Sequence, residues 1–335
     1  MSLSILVTLP QGKVFDRHFT PQVLTRLEKL GDVRLNPLGR QYTPQELKDA
    51  LRGVDVAITH WGTPCFSADV LQNADKLSLL AHGAGTVAYV ASEALYDKNV
   101  RVTTANSVMA RFVAEGVLGY FIMGLRGLDR AAAAMHGDLL WKTDAMIDSQ
   151  RSLFGLEIGL IGFGAVAREL TFLLAPFGCR VKVYDPFVSK EALAAYPGTQ
   201  AASFEEALAC PLVSVHAAKT PGTRHLIDAR ALSMMPDSAV FVNTSRGSLV
   251  DEDALVRELK SGRISAVLDV YETEPLPLNH PLRSCENALL LPHLAADCAK
   301  AHMTNAIIDE IERFMRKEAL TMEISREHFR GMTQG

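Results

Sequence analysis

The chain has 335 residues, 48% hydrophobic and 21% charged, the composition of a folded protein with room for two cores. Its net charge of −4 leaves no basic stripe of the kind nucleic acid needs, so no nucleic-acid partner is expected. Cys65, Cys179, Cys210, Cys285 and Cys298 stand apart with no CxxC pair, which predicts reduced thiols and argues against a disulfide framework or a zinc ribbon. The opening MSLSILVTLPQG lacks a basic leader and reads as a first strand. The longest apolar stretch, Val113 to Leu128, is broken by Glu115, Gly116, Gly119, Gly124 and Arg126, too often for a membrane span of about 20 apolar residues. A cytoplasmic protein without a membrane partner is the expectation.

Short apolar runs without alternation predict strands buried on both faces. In the first third these are ILVTL, VDVAIT, KLSLLA and the weaker VRVTT. Helices are expected between them, over Pro21–Leu30, Pro44–Leu51, Ser67–Gln72 and Ala88–Asp97. A long helix from Ser107 to Arg126 repeats its apolar residues at three and four, as a packing face does. The second half continues with LEIGLIG, RVKVYD, LVSVHA, AVFVNT, AVLDV and ALLLPH as strands. Helices over Ala167–Phe177, Ser203–Ala209, Asp228–Met234 and Asp251–Lys260 alternate with them. The alternation predicts an α/β protein of two doubly wound, parallel-sheet domains with a cleft between them. The hinges fall near Asn106 and just after His293, and the segment from Asp297 onward is expected to pack back on the first domain.

The most specific local signal is GLIGFGAVAREL, in which Gly162, Gly164 and Ala167 form a GxGxxA turn between a strand and a helix. The first glycine permits the tight turn, the second admits a pyrophosphate, and the small Ala167 lets helix and strand pack closely. The helix start offers unpaired N–H groups to phosphate. Asp185 ends the next strand at the expected offset of about 20 residues, where an acid binds ribose hydroxyls and repels a 2′-phosphate. NAD is therefore the expected cofactor, with Lys182 and Lys190 nearby keeping NADP in view.

Three positions beyond later strands carry acid–base and anion chemistry. Arg246 follows AVFVNTS, Glu274 follows AVLDVYET, and His293 follows ALLLP. Ligands of open α/β sheets bind at the carboxyl ends of strands, so these residues belong to one rim. Arg246 suits a substrate carboxylate or carbonyl, His293 suits proton transfer, and Glu274 suits fixing the imidazole. Glycines after KLSLLA, within His82-Gly83-Ala84-Gly85, can form an amide nest for an anion. His60 and Trp61 follow a first-domain strand and are candidates for reading a substrate side chain. No His/Cys/Asp set has metal-ligand spacing, so no metal is expected.

Most of Gly155–His293 closely resembles the D-isomer-specific 2-hydroxyacid dehydrogenases. The resemblance lies in GLIGFGAVAREL…VYDP, LVSVHAAKTPGTRHLID, NALLLPH and above all MMPDSAVFVNTSRGSLVDEDALVRELKSGRISAVLDVYETEPLP. It implies that Arg246, Glu274 and His293 are the catalytic Arg, Glu and His. Asp269, Thr244 and Ser245 fall where the family lines the nicotinamide, with His293 and Ala295 beside them. Ala165 and Val166 match the turn positions at the pyrophosphate, and His216, Ala217 and Thr220 belong to the loop over the adenosine. HGAGT resembles the substrate loop that receives a carboxylate, and ANSVMARFVAE resembles the Asn106-led interdomain helix. The implied layout is a flavodoxin-like substrate-binding domain (1–106 with 297–335) and a Rossmann NAD-binding domain (107–296). The apolar residues of Val113–Leu128 and Ala131–Met135 then read as a self-association face, and the resemblance implies a homodimer.

Departures border the substrate pocket: Val87-Ala88-Tyr89-Val90 after the loop, Gly116 where a His is common, and Leu294-Ala295-Ala296-Asp297-Cys298 after His293. The expected activity is hydride transfer between NAD(H) and a small D-2-hydroxy or 2-keto acid. The alternative is a non-enzymatic NAD-sensing protein like the corepressors related to this family. Formate oxidation is disfavoured by Glu274, where formate dehydrogenases generally carry Gln. The loop lacks a basic cluster for phosphate and no long extension follows Arg316, both of which lean away from phosphoglycerate.

Overall fold

The structure is a computed structural model that describes residues 2–137 and 139–332. The chain forms two compact units, Met1–Ala110 with Cys298–Gly335, and Arg111–Asp297.

The first unit holds β1 (Leu3–Pro10), β2 (Gly31–Asn36), β3 (Val56–Thr59), β4 (Leu79–His82) and β5 (Arg101–Thr104). All are parallel, in the order β2-β1-β3-β4-β5, which is the flavodoxin-like order. β3 and β4 are buried along their whole length, as their unalternating apolar sequences require. β2 lies at the edge, half exposed and carrying Asp32 and Arg34, so no apolar run announces it.

Two expected helices shrink. Ser67–Gln72 becomes a 3-10 turn at Val70–Asn73, in which the Ser67 hydroxyl accepts from the Val70 amide. Ala88–Asp97 becomes Glu93–Asp97, because the Ala88 amide turns instead to the Thr86 hydroxyl. Helix Pro44–Ala50 forms as expected, with Pro44 in its first turn and a reciprocal Thr43–Glu46 capping box. Helix Lys300–Met315 buries Met303, Ile307, Ile308 and Ile311 and packs over β4 and β5.

The second unit holds β6 (Glu157–Ile161), β7 (Arg180–Tyr184), β8 (Thr199–Ala201), β9 (Leu212–Val215), β10 (Val240–Asn243), β11 (Ser265–Leu268) and β12 (Ala288–Leu290). The order β12-β11-β10-β9-β6-β7-β8, all parallel, is a Rossmann sheet whose direction of winding reverses between β6 and β9. Ligands of such sheets collect at that reversal, beyond the carboxyl ends of the strands.

Helix Asn106–Arg126 has the length and apolar content of a membrane span, with 33% of its most apolar window buried. Val113, Ala114, Val117, Phe121 and Leu125 are buried at three- and four-residue spacing, so part of that content is a core face. Gly124 on this helix leaves no room for a side chain: a Cβ there would lie 2.7 Å from Val240 of β10.

Gly159 in β6 is fixed by an adjoining helix. A Cβ at that position would lie 1.9 Å from the carbonyl oxygen of Ala207, a backbone atom at the end of which no side chain can swing away. Gly159→Ala is expected to destabilise the second unit by about 1–3 kcal/mol, as overpacking of a rigid core does. Thermal unfolding followed by circular dichroism checks this, and an unchanged midpoint would contradict the packing described.

Candidate active site

The nucleotide turn starts where β6 ends. Gly162 has φ +96°, and a Cβ on it would meet the Ala217 nitrogen at 2.5 Å, so both conformation and space demand glycine. Gly164 caps helix Ala165–Leu174, and nothing lies within 4 Å of where its Cβ would point. That open space adjoins the N-terminus of the helix, whose first amides have no partner within the helix. Ala167 is fully buried against the sheet, which explains its size.

Asp185 follows β7 and is held by two amides: Phe163 N–H donates to Oδ2 at 2.7 Å and Phe187 N–H to Oδ1 at 2.9 Å. The carboxylate is thus oriented beside the glycine turn, with lone pairs left for ribose hydroxyls. Beyond β9, His216 Nε2 shares a 3.0 Å hydrogen bond with the Ser214 hydroxyl, and burial depresses its pKa to about 4, so the ring is neutral. Ala217 packs its backbone against Gly162, and the Thr220 amide donates to Thr223 Oγ1 at 2.8 Å to close the loop. At the same rim Thr244 Oγ1 is buried with no hydrogen-bond partner among the described residues, a polar atom suited to an amide of a bound group. The turn, the oriented acid and this hydroxyl fit a nicotinamide dinucleotide.

Arg246, Glu274 and His293 lie beyond β10, β11 and β12, which end side by side with Asn243 opposite Leu268 and Leu268 opposite Leu290. Asn243 shapes the first turn, its Nδ2 donating to the Arg246 carbonyl at 3.0 Å and its Oδ1 accepting from Ser245 N–H at 3.1 Å. The Ser245 hydroxyl is tied to the Val215 carbonyl at 2.9 Å. The Arg246 guanidinium remains exposed, and its Nη1 donates to the neighbouring Ser245 carbonyl at 2.7 Å.

Asp269 is 1% exposed and accepts from Leu294 N–H at 2.7 Å and Ala295 N–H at 2.8 Å. Burial raises its pKa against the pull of those two amides. It clamps the two residues after His293, which has the left-handed backbone of φ +56°. Such a conformation in a non-glycine residue is held by its surroundings, and here it aims the ring.

His293 Nδ1 lies 2.9 Å from Glu274 Oε2, and Glu274 Oε1 accepts from Tyr271 N–H at 3.0 Å. With Nδ1 donating to the carboxylate, Nε2 is the nitrogen left for a substrate. Burial works to raise the Glu274 carboxyl, but the His293 and Tyr271 hydrogen bonds and the charges of His293 and Arg246 together hold it below its ordinary value.

In the first unit the His82–Gly85 loop follows β4. One member of the expected amide nest is already used: Gly83 N–H donates to the Thr59 carbonyl at 2.8 Å, extending the sheet. The amides of Ala84 and Gly85 carry no such bond among the described residues. Neither glycine has a positive φ; close packing against the buried His60 ring requires Gly83, whereas Gly85 faces the movable end of a methionine side chain. A Cβ on Gly83 would meet His60 Nε2 at 2.4 Å, and one on Gly85 would meet Met109 Cε at 2.6 Å, with Asn106 Oδ1 at 3.6 Å.

The His82 ring is buried with Nδ1 2.9 Å from the Thr59 hydroxyl, and burial takes its pKa to about 3. His60 is also fully buried, edge-on to His18 at 4.5 Å, and burial drives its pKa well below the ordinary value. It is a packing residue beneath the loop and not a surface reader of a ligand. Trp61, 40% exposed, retains a solvent face.

The residues that shape these loops without chemistry of their own, Asn243 and the Tyr271 amide above all, were not singled out from the sequence. An Asn ending a strand carries no signal of the turn that its side chain braces, and a backbone amide carries none at all.

Residues 118–295 match the family model described as D-isomer specific 2-hydroxyacid dehydrogenase, NAD binding domain. The chain belongs to this family, and a nicotinamide dinucleotide is the cofactor of its second unit. A D-3-phosphoglycerate dehydrogenase of Methanocaldococcus jannaschii is 30% identical over 298 residues, 87% of this chain and 55% of that protein. A hydroxypyruvate reductase of Thermotoga maritima is 29% identical over 259 residues, 76% of this chain and 82% of that protein. Among solved structures, a phosphoglycerate oxidoreductase from Rhizobium etli superposes with a TM-score of 0.80 at 28% identity, covering 96% of this chain and 99% of that one. The match spans about half the length of the phosphoglycerate dehydrogenases of Methanocaldococcus jannaschii and Mycobacterium leprae.

Glu274 links the site to pH. A carboxyl held below its ordinary pKa adds stability that is complete above about 4.3 and is lost as pH falls through the lower folded value. The difference in urea midpoint between the natural chain and Glu274→Gln is therefore expected near neutral pH and to close on acidification below that range. A difference that persists unchanged in acid would contradict the hydrogen-bonded, ionised Glu274.

Proposed function

We propose that the protein reduces a small 2-keto acid to the D-2-hydroxy acid with NADH, or runs the reverse oxidation. The observation that carries this reading is the His293–Glu274 pair, its Nδ1···Oε2 contact of 2.9 Å leaving Nε2 free on the same sheet rim as the exposed Arg246. Arg246 binds the carboxylate and polarises the carbonyl, its planar fork matching both oxygens. His293 donates the proton to the developing alkoxide through Nε2, and Glu274 stabilises the imidazolium as the proton is regained in the reverse direction. Asp269 keeps His293 on station through the Leu294 and Ala295 amides.

NADH, which supplies the hydride, would be held by Gly162, Gly164, Ala165, Val166 and Ala167 at its phosphates, by Asp185 at the adenosine ribose, by His216, Ala217 and Thr220 along the adenosine, and by Thr244, Ser245, Asp269 and Ala295 at the nicotinamide. Asp185 favours NADH over NADPH because its fixed carboxylate repels a 2′-phosphate.

In the first unit, His82–Gly85 and Asn106 form the substrate-recognition loop, its free Ala84 and Gly85 amides suiting a carboxylate. The unit roles follow: residues 111–297 bind the cofactor and carry Arg246, Glu274 and His293, and the first unit supplies the substrate-recognition loop. The exposed apolar side chains of Met135, Trp141 and Ile147 support a homodimer.

A panel of glyoxylate, hydroxypyruvate and longer 2-keto acids, each assayed with NADH and NADPH, tests the activity. Turnover with NADH well above that with NADPH is expected. His293→Ala is expected to lower kcat by about 10²–10⁴, the usual contribution of a general acid, with NADH affinity nearly unchanged. NADH binding without turnover of any keto acid would instead indicate a binding protein, and full activity in His293→Ala would remove the histidine from the mechanism.

A further inference from the structure

Behind the acid–base pair lies a second carboxylate–histidine pair to which the reaction assigns nothing. Glu252 is the first residue of helix Glu252–Lys260, seated by the Asp251 cap, whose side chain accepts from Ala254 N–H at 2.9 Å. Its carboxylate faces away from solvent, with the side chain 11% exposed. Oε1 accepts from the Glu272 amide at 2.7 Å, and Oε2 lies 3.3 Å from His280 Nε2.

The tautomer of His280 follows from its other nitrogen. Nδ1 accepts from Leu282 N–H at 3.3 Å as the cap of the 3-10 turn Pro281–Ser284, so the ring proton sits on Nε2, the nitrogen that faces Glu252 Oε2. Burial raises the Glu252 carboxyl, opposed by the Glu272 amide and by His280. One oxygen of this half-buried acid thus holds the Glu272 amide and the other faces His280.

The Glu272 amide is one residue from the Tyr271 amide, and Tyr271 N–H holds Glu274 Oε1. The same short segment is pressed against the Arg246 turn, where a Cβ on Gly247 would lie 1.8 Å from the Tyr271 carbonyl carbon. The Glu272 side chain is gripped from a third segment, its Oε1 2.5 Å from Arg224 Nη2 and 3.4 Å from His225 Nε2. The backbone at 271–272 is therefore where the loops carrying Arg246 and Glu274 meet.

We propose that Glu252, oriented by His280, is a positioning residue that latches the Tyr271–Glu272 backbone and so fixes the carboxylate of Glu274 against His293. The proposal rests on the acid–base reading of His293 and Glu274. Its physical content is separate: the latch works through a hydrogen bond to one amide, so an uncharged acceptor at Glu252 preserves it. Removing the acceptor leaves the Glu272 amide without its side-chain partner, and the segment relaxes.

The experiment uses the full-length protein and compares Glu252→Ala, Glu252→Gln and His280→Ala. Hydrogen exchange at the Tyr271 and Glu272 amides, NADH affinity by fluorescence, and kcat with the best 2-keto acid are read in each. Glu252→Ala is expected to speed exchange at both amides by about tenfold, the equivalent of one lost hydrogen bond, and to lower kcat by a similar factor with NADH affinity within about twofold. Glu252→Gln retains an acceptor for the Glu272 amide and is expected to restore both readouts to within about threefold of the natural chain. His280→Ala falls between them and carries the test if Glu252→Ala does not fold.

Unchanged exchange and kcat in Glu252→Ala overturn the latch, as does a Gln variant as impaired as the Ala variant. Should the natural chain reduce no keto acid, exchange at Tyr271 still decides the latch while the acid–base reading fails on its own.

Discussion

The parallel pairing of β10, β11 and β12 is the constraint on which the site depends. Their hydrogen bonds set Asn243, Leu268 and Leu290 level with one another, so the residues that follow leave the sheet at one edge. Arg246, Glu274 and His293 come from segments far apart in sequence, and only this register makes them neighbours on a rim. A parallel sheet gives strand ends this property because every strand points the same way, and the loops beyond them are free to carry polar groups. The buried apolar strands supply the rigidity, and the loops supply the chemistry.

Within that frame, short polar clamps set the precision. Asp269 takes two amides just after His293, Glu274 takes the Tyr271 amide, and Asn243 spans the turn to Arg246. Each is a hydrogen bond between a side chain and the backbone, which fixes a loop without requiring another element to cover it. The left-handed backbone of His293 costs on the order of 1–3 kcal/mol, and the Asp269 clamp is what holds the residue there. The nucleotide turn is built the same way, with Asp185 held by two amides. Preorganised acceptors of this kind lose little on binding.

Much of this was legible in the sequence because the interior strands are unbroken apolar runs and the glycine turn has a fixed grammar. β2 and β8 escaped notice because both are edge strands: Asp32 and Arg34 on one, and Thr199-Gln200-Ala201 on the other, give no apolar signature. Ser67–Gln72 looked helical by composition, yet the Ser67 hydroxyl competes for a backbone amide and leaves only a 3-10 turn. Gly83 was read as a nest member, whereas its amide continues the sheet and its missing side chain makes room for His60. His60 itself looked like a ligand reader because a histidine beyond a strand end has the same sequence whether its ring points out or is buried.

The fate of the hydride tests the central claim most directly. NADH deuterated at the transferable position is mixed with a 2-keto acid, and both product and cofactor are analysed by mass spectrometry. The account predicts deuterium on C2 of a D-2-hydroxy acid, with transfer lost in Arg246→Ala while the cofactor still binds. Deuterium that stays on the cofactor with every 2-keto acid, or transfer undiminished without Arg246, would contradict it.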